Sequence, residues 1–470
     1  MVMLYVAAFM VASAVVALFY GTDSSFSPLL LSALLTALLG VFPLIFVPKI
    51  DQINSKEGFC IVVGAWILAC VVGMFPYLIW GGEFSFVNAW FESVSGFTTT
   101  GASILNNIEG LPNGLLFWRS STAWMGGIGV VMFALVILPS LGKTKMMLSN
   151  VELSSLAKDN YRYRTQQIVR ILLAVYIILT IVSTLALKSA GMNWFDAVNH
   201  GMSASATCGF STKNASIGAF GSPLIDLTVM ATIFISGIHF GVIFATVTGK
   251  HNNIFRSEVT RLYFAIVLLG CMAVSANLYF ADIYESASSA LLHGSFQFVS
   301  LLTTSGFATA DTNLWPPFAI MILIFASIIC SCAGSTSGGI KVDRLLLFGK
   351  MVKTRMKEQQ HPNLVSRLKI DGVPQNREML GTVMIFVVTY VVVILAGATL
   401  NALLGLDLLT SITASIACIG NIGPGFGDVG SLESYASMPV LLKLQATLMM
   451  LMGRLEIFGF IQLFFLRSWN

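Results

Sequence analysis

The sequence predicts an all-α polytopic membrane protein made of four pseudo-symmetric repeats, each a span, a half-helix, a glycine turn and a second span, with two extra transmembrane helices at the N-terminus. Three observations predict it. Only 10% of the 470 residues are charged while 56% are apolar, and mean hydropathy is +0.83. A soluble domain carries roughly 25% charge, and a chain this poor in it cannot cover a water-facing surface. Apolar runs are long and continuous, without the two-residue alternation of membrane strands, so the spans are helices. Finally, a short polar segment ending on glycine recurs four times between the runs.

Taken in order, the apolar runs place spans near 2–20, 28–48, 58–80, 115–141, 166–188, 222–248, 260–281, 316–346, 379–402 and 437–466. The first, MVMLYVAAFMVASAVVALFY, lacks a basic start and a small-residue cleavage site, and reads as a retained span. Segments 84–97, 194–206, 287–303 and 406–419 are too short to cross and each runs into a glycine, as re-entrant segments do. The units are then 1–50, a two-helix extension; 51–145, 146–250 and 251–350, the first three repeats; 351–378, a cytoplasmic basic linker; and 379–470, the fourth repeat. Seven cysteines lie scattered in apolar stretches without metal-type spacing and read as packing residues.

Basic residues set the orientation. With 49–57, 142–165, 249–261, 341–378 and the C-terminus on one side, 21 of the 26 Lys and Arg fall there or on its flanks, which makes it cytoplasmic and turns the re-entrant segments outward. Arg119, Lys188, Lys213 and Lys443 go to the outer side, and twelve acids including Glu92, Asp196, Asp226, Asp407 and Glu433 lie there or near the re-entrant segments. The resulting surplus of about −8 would concentrate cations at the mouth.

The re-entrant segments read AWFESVSGFTTTGAS, DAVNHGMSASATCGFST, LLHGSFQFVSLLTTSGFAT and LLTSITASIACIGNIGPGFG. A half-helix entering from outside points its partly negative C-terminus at the membrane centre. The strand after it has neither helix nor sheet to satisfy its backbone, so it must line a wet or ionic path. Four such strands around an axis can replace a cation's hydration shell with carbonyls. The candidate ligands are Thr99, Thr100 and Gly101; Thr207, Cys208 and Gly209; Thr304, Ser305 and Gly306; and Asn421, Ile422 and Gly423. Each glycine is expected to supply a backbone angle closed to other residues. Any one alone also fits a simple helix C-cap. The fourth strand departs from the pattern, with Asn421 for Thr and Pro424 following.

The motifs TTTGAS, TCGFST, TTSGFAT and NIGPGFG, with WRSSTAWMGGIG (118–129), CAGSTSGGIK (332–341) and MGRLEIFGF (452–460), resemble the bacterial TrkH potassium-uptake proteins, of the superfamily that includes KtrB. The likeness runs over essentially the whole chain, and the two N-terminal spans favour the TrkH branch. It implies potassium-channel-like repeats around one pore and K+ as the transported ion. It also implies a homodimer in the bacterial inner membrane and a cytosolic nucleotide-binding regulatory partner of the TrkA type. No organic cofactor and no nucleic acid are expected; membrane lipids are.

Two elements lie within the spans. Gly334, Ser335, Thr336, Ser337, Gly338 and Gly339 interrupt span 316–346, and polar glycine-rich backbone at membrane depth must be buried in protein or line the path. The resemblance makes this stretch a gate loop beneath the filter; a small-residue packing face is the alternative, and Lys341 either contacts the loop or anchors the helix. Arg454 sits midway along the last span, where an isolated charge is costly, so it should face the interior. It resembles the pore arginine of the family, a fixed barrier to permeating cations. Pairing with a carbonyl is the other reading, while Glu456 at i+2 points to another face.

His200, His239 and His293 give no enzyme, since no nucleophile elbow accompanies them. His200 and His293 read as equivalent positions at the outer ends of repeats two and three. A symporter coupling K+ to H+ or Na+ is the nearer rival, but parallel repeats and the scarcity of acids within spans favour gated passive conduction. The basic stretch 341–377 suits anionic lipid or a docking partner. One glycine per unequal strand predicts K+ selectivity weaker than that of filters with four identical strands, with Rb+ passing alongside K+.

Overall fold

The computed structural model describes residues 1–46, 55–140, 165–249, 253–361, 368–375, 377–457 and 460. The described residues are mainly helical, with one two-stranded ribbon among them. Lys49, Lys143, Lys145, Lys158, Arg162, Arg164, Lys250, Arg367 and Arg467 of the orientation argument, and the far end of span 437–466, lie outside the described residues.

Helices α1 (Val2–Phe19) and α2 (Phe26–Phe46) form the N-terminal hairpin. Their contact stripes are small or slender, with Ala7, Ser13, Ala14 and Ala17 facing Ser32, Ala33 and Thr36. Leu30, Leu34, Leu38 and Leu39 point outward, as on a helix bathed in lipid. Asp23 in the turn accepts from Ser25 N and from Gly114 N, both at 3.0 Å, which pins the hairpin to the first repeat.

The first repeat comprises α3 (Ser55–Gly73), α4 (Phe75–Trp80), α5 (Phe86–Phe97) and α6 (Asn113–Ser140). The second comprises α7 (Thr165–Ser189), α8 (Trp194–Ser205), α9 (Pro223–Ser236) and α10 (Phe240–Val247). The third has α11 (Glu258–Phe280), α12 (Ala287–Leu302), α13 (Pro317–Ile329) and α14 (Val342–Gln360). The fourth has α15 (Arg377–Leu403), α16 (Leu408–Ile419) and α17 (Val440–Arg454). Among the described residues six helices are long and apolar enough to cross a membrane.

Half-helices α5, α8, α12 and α16 coincide with the four predicted re-entrant segments. Each starts on a polar cap: Ser85, Asn193, Ser286 and Asp407 accept backbone N–H groups of the first turn. Each also ends the same way. The N–H groups of Thr99 and Thr100 bond to Gly96 O and Ser95 O, and the pattern repeats at Thr207/Cys208, Thr304/Ser305 and Asn421/Ile422. This is the Schellman termination, which calls for a left-handed residue. That residue is Thr99 (φ +54°), Thr207 (+51°), Thr304 (+57°) or Asn421 (+53°). Glycine is the usual occupant, and three β-branched residues there are backbone outliers.

Three spans are broken, 316–346 as predicted and two where continuous spans were expected. Segment 222–248 bends by 99° between α9 and α10. The expected break in 316–346 runs from Cys330 to Lys341, but the helix beyond it continues to Gln360, taking up the first ten residues of the predicted linker. In the last span α17 ends at Arg454, and Glu456 is left-handed (φ +53°) before Ile457 is helical again. The rest of the linker holds the ribbon β1 (Lys369–Ile370) and β2 (Val373–Pro374) around Asp371-Gly372, both at positive φ as a tight hairpin requires. Asp371 Oδ1 accepts from Glu258 N at 2.6 Å, so the ribbon rests on the start of α11.

Candidate functional site

The four glycines that end the re-entrant segments form a closed ring. A side-chain carbon on Gly101 would lie 2.5 Å from Gly209 N; one on Gly209 would lie 2.7 Å from Ser305 O. One on Gly306 would strike Ile422 O and lie 2.6 Å from Pro424 Cδ, and one on Gly423 would lie 2.6 Å from Thr100 O. The order 1–2–3–4–1 brings all four strands to one axis, with no room for any side chain at the ring. Gly101, Gly306 and Gly423 have φ of +81°, +72° and +97°. Gly209 does not, contrary to the expectation for all four; its requirement is steric alone.

Not every candidate oxygen is equally free. Cys208 O accepts from Ser203 Oγ at 2.7 Å, and the hydroxyls of Thr98 and Thr100 lie 2.7 Å apart. The Asn421 amide donates to Thr100 Oγ1 at 3.1 Å and to Met450 O at 2.9 Å, so the residue replacing threonine ties the fourth strand to the first. Above the ring opens a cavity of about 240 Å³, floored by the four glycines and walled by Asn106, Lys213, Asn214 and Glu433. Its lining is mainly neutral, with Arg119, Lys213 and Glu433 as its charged members; no cluster of His, Cys, Asp or Glu able to chelate a metal occurs among the described residues.

Beneath the ring lies the broken stretch of the third repeat. Thr207 Oγ1 donates to Thr336 Oγ1 at 3.1 Å, and Gly338 N donates to Thr304 Oγ1 at 3.2 Å. A side chain on Gly338 would press on Gly420 O and lie 3.0 Å from Asn421 Oδ1. Ser335, Thr336 and Ser337 are buried, with the Ser335 and Ser337 hydroxyls 2.8 Å apart. Gly334 and Gly339 have φ of +74° and +72°, at the two bends of the loop. The stretch therefore sits directly under strands two, three and four.

Arg454 is buried beside it. Its Nη1 donates to Thr336 O at 2.7 Å and its Nη2 to Gly126 O at 3.0 Å, joining the loop to α6. Glu456, beyond the end of α17 and at a left-handed φ, turns away from Arg454 and pairs with Lys341 (3.6 Å) and Arg344 (2.7 Å) at the start of α14. Lys341 is thus neither a loop ligand nor a simple interface anchor.

Behind the ring, polar side chains of the half-helices grip the outgoing strands, which sequence reasoning did not find. Asp196 accepts from Thr212 Oγ1 at 2.5 Å, and His293 Nδ1 is 3.0 Å from Thr309 Oγ1. Both acceptor and donor stand thirteen residues before and three after their glycines. His200, nine before, lies 2.9 Å from Ser211 Oγ, and Gln297, also nine before, donates to Ala310 O at 3.1 Å. His200 and His293 are therefore not equivalent: His293 matches Asp196. Glu92 and Arg119, placed by sequence with the outer side and the re-entrant segments, are fully buried against each other. Spacing to the glycine was the signal that could have found all of these.

Comparison with known proteins places the chain in a family. The TrkH family, described as a cation transport protein, matches residues 36–468. The Trk system potassium uptake protein TrkH of Salmonella typhimurium is 36% identical over 422 residues, 89% of this chain and 87% of that protein. Its counterpart from Escherichia coli K12 is 35% identical over the same shares. The crystal structure of the potassium transporter TrkH from Vibrio parahaemolyticus superposes with a TM-score of 0.90 at 31% identity, covering 100% of this chain and 97% of that one. The described spans, the helical fold and these matches make this a membrane transport protein and not an enzyme, and the chain belongs to the TrkH family.

Proposed function

We propose that the chain takes up K+ through a gated, channel-like pore in the bacterial inner membrane, with the filter facing outward. The observation that carries this reading is the closed ring of Gly101, Gly209, Gly306 and Gly423 at the floor of an open cavity. The ring lies at the C-terminal ends of four half-helices, whose partial negative charge favours a cation. Carbonyls and hydroxyls of residues 99–101, 207–209, 304–306 and 421–423 are the ion's ligands, and the transported ion is the substrate, not a resident cofactor. The K+ assignment rests on the names of the relatives at 35–36% identity.

Gly334 to Gly339 form the gate: a loop beneath the filter blocks it unless it moves, held by neutral hydrogen bonds to the strands and by the charged one from Arg454. Arg454 is both barrier and tether. A homodimer and a TrkA-type nucleotide-binding partner complete the assembly, the partner acting through α14, which is continuous with the gate loop and carries Lys350, Lys353, Arg355 and Lys357.

The test is flux of K+, Rb+ and Na+ into liposomes containing the purified chain. Uptake of K+ and Rb+ driven by membrane potential alone, exceeding Na+ uptake, is expected. Uptake that demands a proton or sodium gradient replaces the channel-like mechanism with symport.

A further inference from the structure

Glu92 of α5 and Arg119 of α6 form the one ion pair among the described residues whose two side chains are both wholly buried, at 0% and 1% exposure. Arg119 Nε and Nη2 both reach Glu92 Oε1 at 2.7 Å. The other contacts run to the strands. Glu92 Oε2 accepts from Ile104 N at 3.1 Å, and the Ser103 hydroxyl lies 3.1 Å from Glu92 Oε1 and 3.2 Å from Arg119 Nη2. Arg119 Nη1 donates to Ser211 O at 3.2 Å, and the guanidinium lies 4.1 Å over the Phe210 ring. The pair thus grips strand one two and three residues past Gly101, and strand two one and two residues past Gly209.

In repeats two and three the matching grips, His200 on Ser211 and Gln297 on Ala310, stay within their own repeat. Only in repeat one is the grip ionic, and there it reaches across to the next strand. The two charges cancel, so the pair adds little field to the vestibule above. A buried pair is also weak evidence for stability, because desolvation consumes most of its attraction. What a forked guanidinium with a carboxylate does supply is fixed direction.

We infer that Glu92 and Arg119 are positioning residues that hold filter strands one and two at a set separation, and thereby set the discrimination between K+ and the smaller Na+. This rests on the proposed function. The Gly101–Gly209 contact is one of the four sides of the ring. A seam free to narrow or widen fits either ion, whereas a clamped one does not.

The test is potential-driven K+ and Na+ uptake into liposomes by the full-length chain and its Glu92→Gln, Arg119→Lys and Ser103→Ala variants. Their folding is checked by gel filtration and thermal melting. Glu92→Gln is expected to lower the K+ to Na+ flux ratio about tenfold, or about 1.4 kcal/mol. Arg119→Lys, which keeps the charge and loses the fork, should lower it in the same direction, and Ser103→Ala less. A residue that merely supports the fold would reduce folded yield and both fluxes together, leaving the ratio alone. A ratio within about twofold of native in folded variants overturns the inference; if Glu92→Gln does not fold, Arg119→Lys and Ser103→Ala decide it. A native protein with no preference for K+ overturns the proposed function and the inference with it.

Discussion

Replacing Arg454 separates two ways of closing a pore. Its guanidinium donates to Thr336 O on the loop and to Gly126 O on α6, at 2.7 and 3.0 Å. Hydrogen bonds from a charged group contribute about 1.5–3 kcal/mol each. Arg454→Ala therefore removes at least about 3 kcal/mol of contact between loop and wall. If half of that is expressed in the loop's position, the open population rises about tenfold. Removal of a fixed positive charge from the path acts in the same direction, so Ala alone does not separate the two causes. Arg454→Lys does: the ammonium keeps the charge, but a single point donor on a shorter head does not span carbonyls on two walls. Rb+ uptake into liposomes at fixed potential is expected to rise about tenfold in Ala, and to rise nearly as far in Lys. Native flux in Lys with raised flux in Ala would leave the electrostatic barrier and discard the tether. Unchanged flux in Ala would discard both.

Other positions give further expected outcomes. Gly209→Ala, with no backbone strain but a 2.7 Å clash with the backbone oxygen of Ser305, should weaken K+ selectivity and melt below native; Gly423→Ala, which clashes with Thr100 O at 2.6 Å, adds a left-handed φ costing about 1–2 kcal/mol and should melt lower still, which paired thermal melts compare. Glu456→Gln breaks the pairs with Lys341 and Arg344 below the loop and should raise flux in the same liposome assay, with Arg454 still in place. The Asp407 carboxylate is held below its usual range by hydrogen bonds from Thr410 and its neighbours at the start of α16. Its pKa is depressed in the folded state, so its stabilisation is present above about pH 4 and fades as pH falls through the folded value. Thermal melts should show native protein sinking towards Asp407→Ala on acidification, with a gap of about 1 kcal/mol at pH 7.

The half-helices were legible because both ends are written in local chemistry. A capping Ser, Asn or Asp opens each one, and a glycine three or four residues beyond its last turn follows, so predicted and observed bounds agree within about two residues. The breaks were less so. Residues 332–341 announce a break by polarity, whereas Gly237-Ile238-His239 marks its bend faintly within an apolar run: Gly237 caps α9, and the His239 side chain accepts from Gly241 N at 2.9 Å to open α10. The third repeat then holds the bend, Cys332 N donating to Gly237 O at 3.1 Å and Phe240 N to Gly334 O at 3.2 Å. The extension of α14 to Gln360 was hidden by its charges, which read as linker but are compatible with a helix lying in water.

The histidines show how repeat symmetry should be read. Aligning His200 with His293 by residue type places them four positions apart relative to the filter glycine, one full turn of helix. Aligning by distance to the glycine puts Asp196 with His293, and Glu92 with His200 and Gln297. The partners then fall into register too: Thr212 with Thr309, and Ser103 with Ser211. Side-chain identity has drifted at both tiers, and not every repeat bridges at both: Asn88 of repeat one bonds to Glu83 O instead, and Ala414 of repeat four has no polar group, its place taken by Thr413, whose hydroxyl bonds to Phe426 N and O. A filter whose strands differ in sequence can therefore still close a ring, because each half-helix keeps some polar bridge to its outgoing strand. That bridge differs in chemistry from strand to strand, and among the described residues the ionic one stands at the seam between strands one and two.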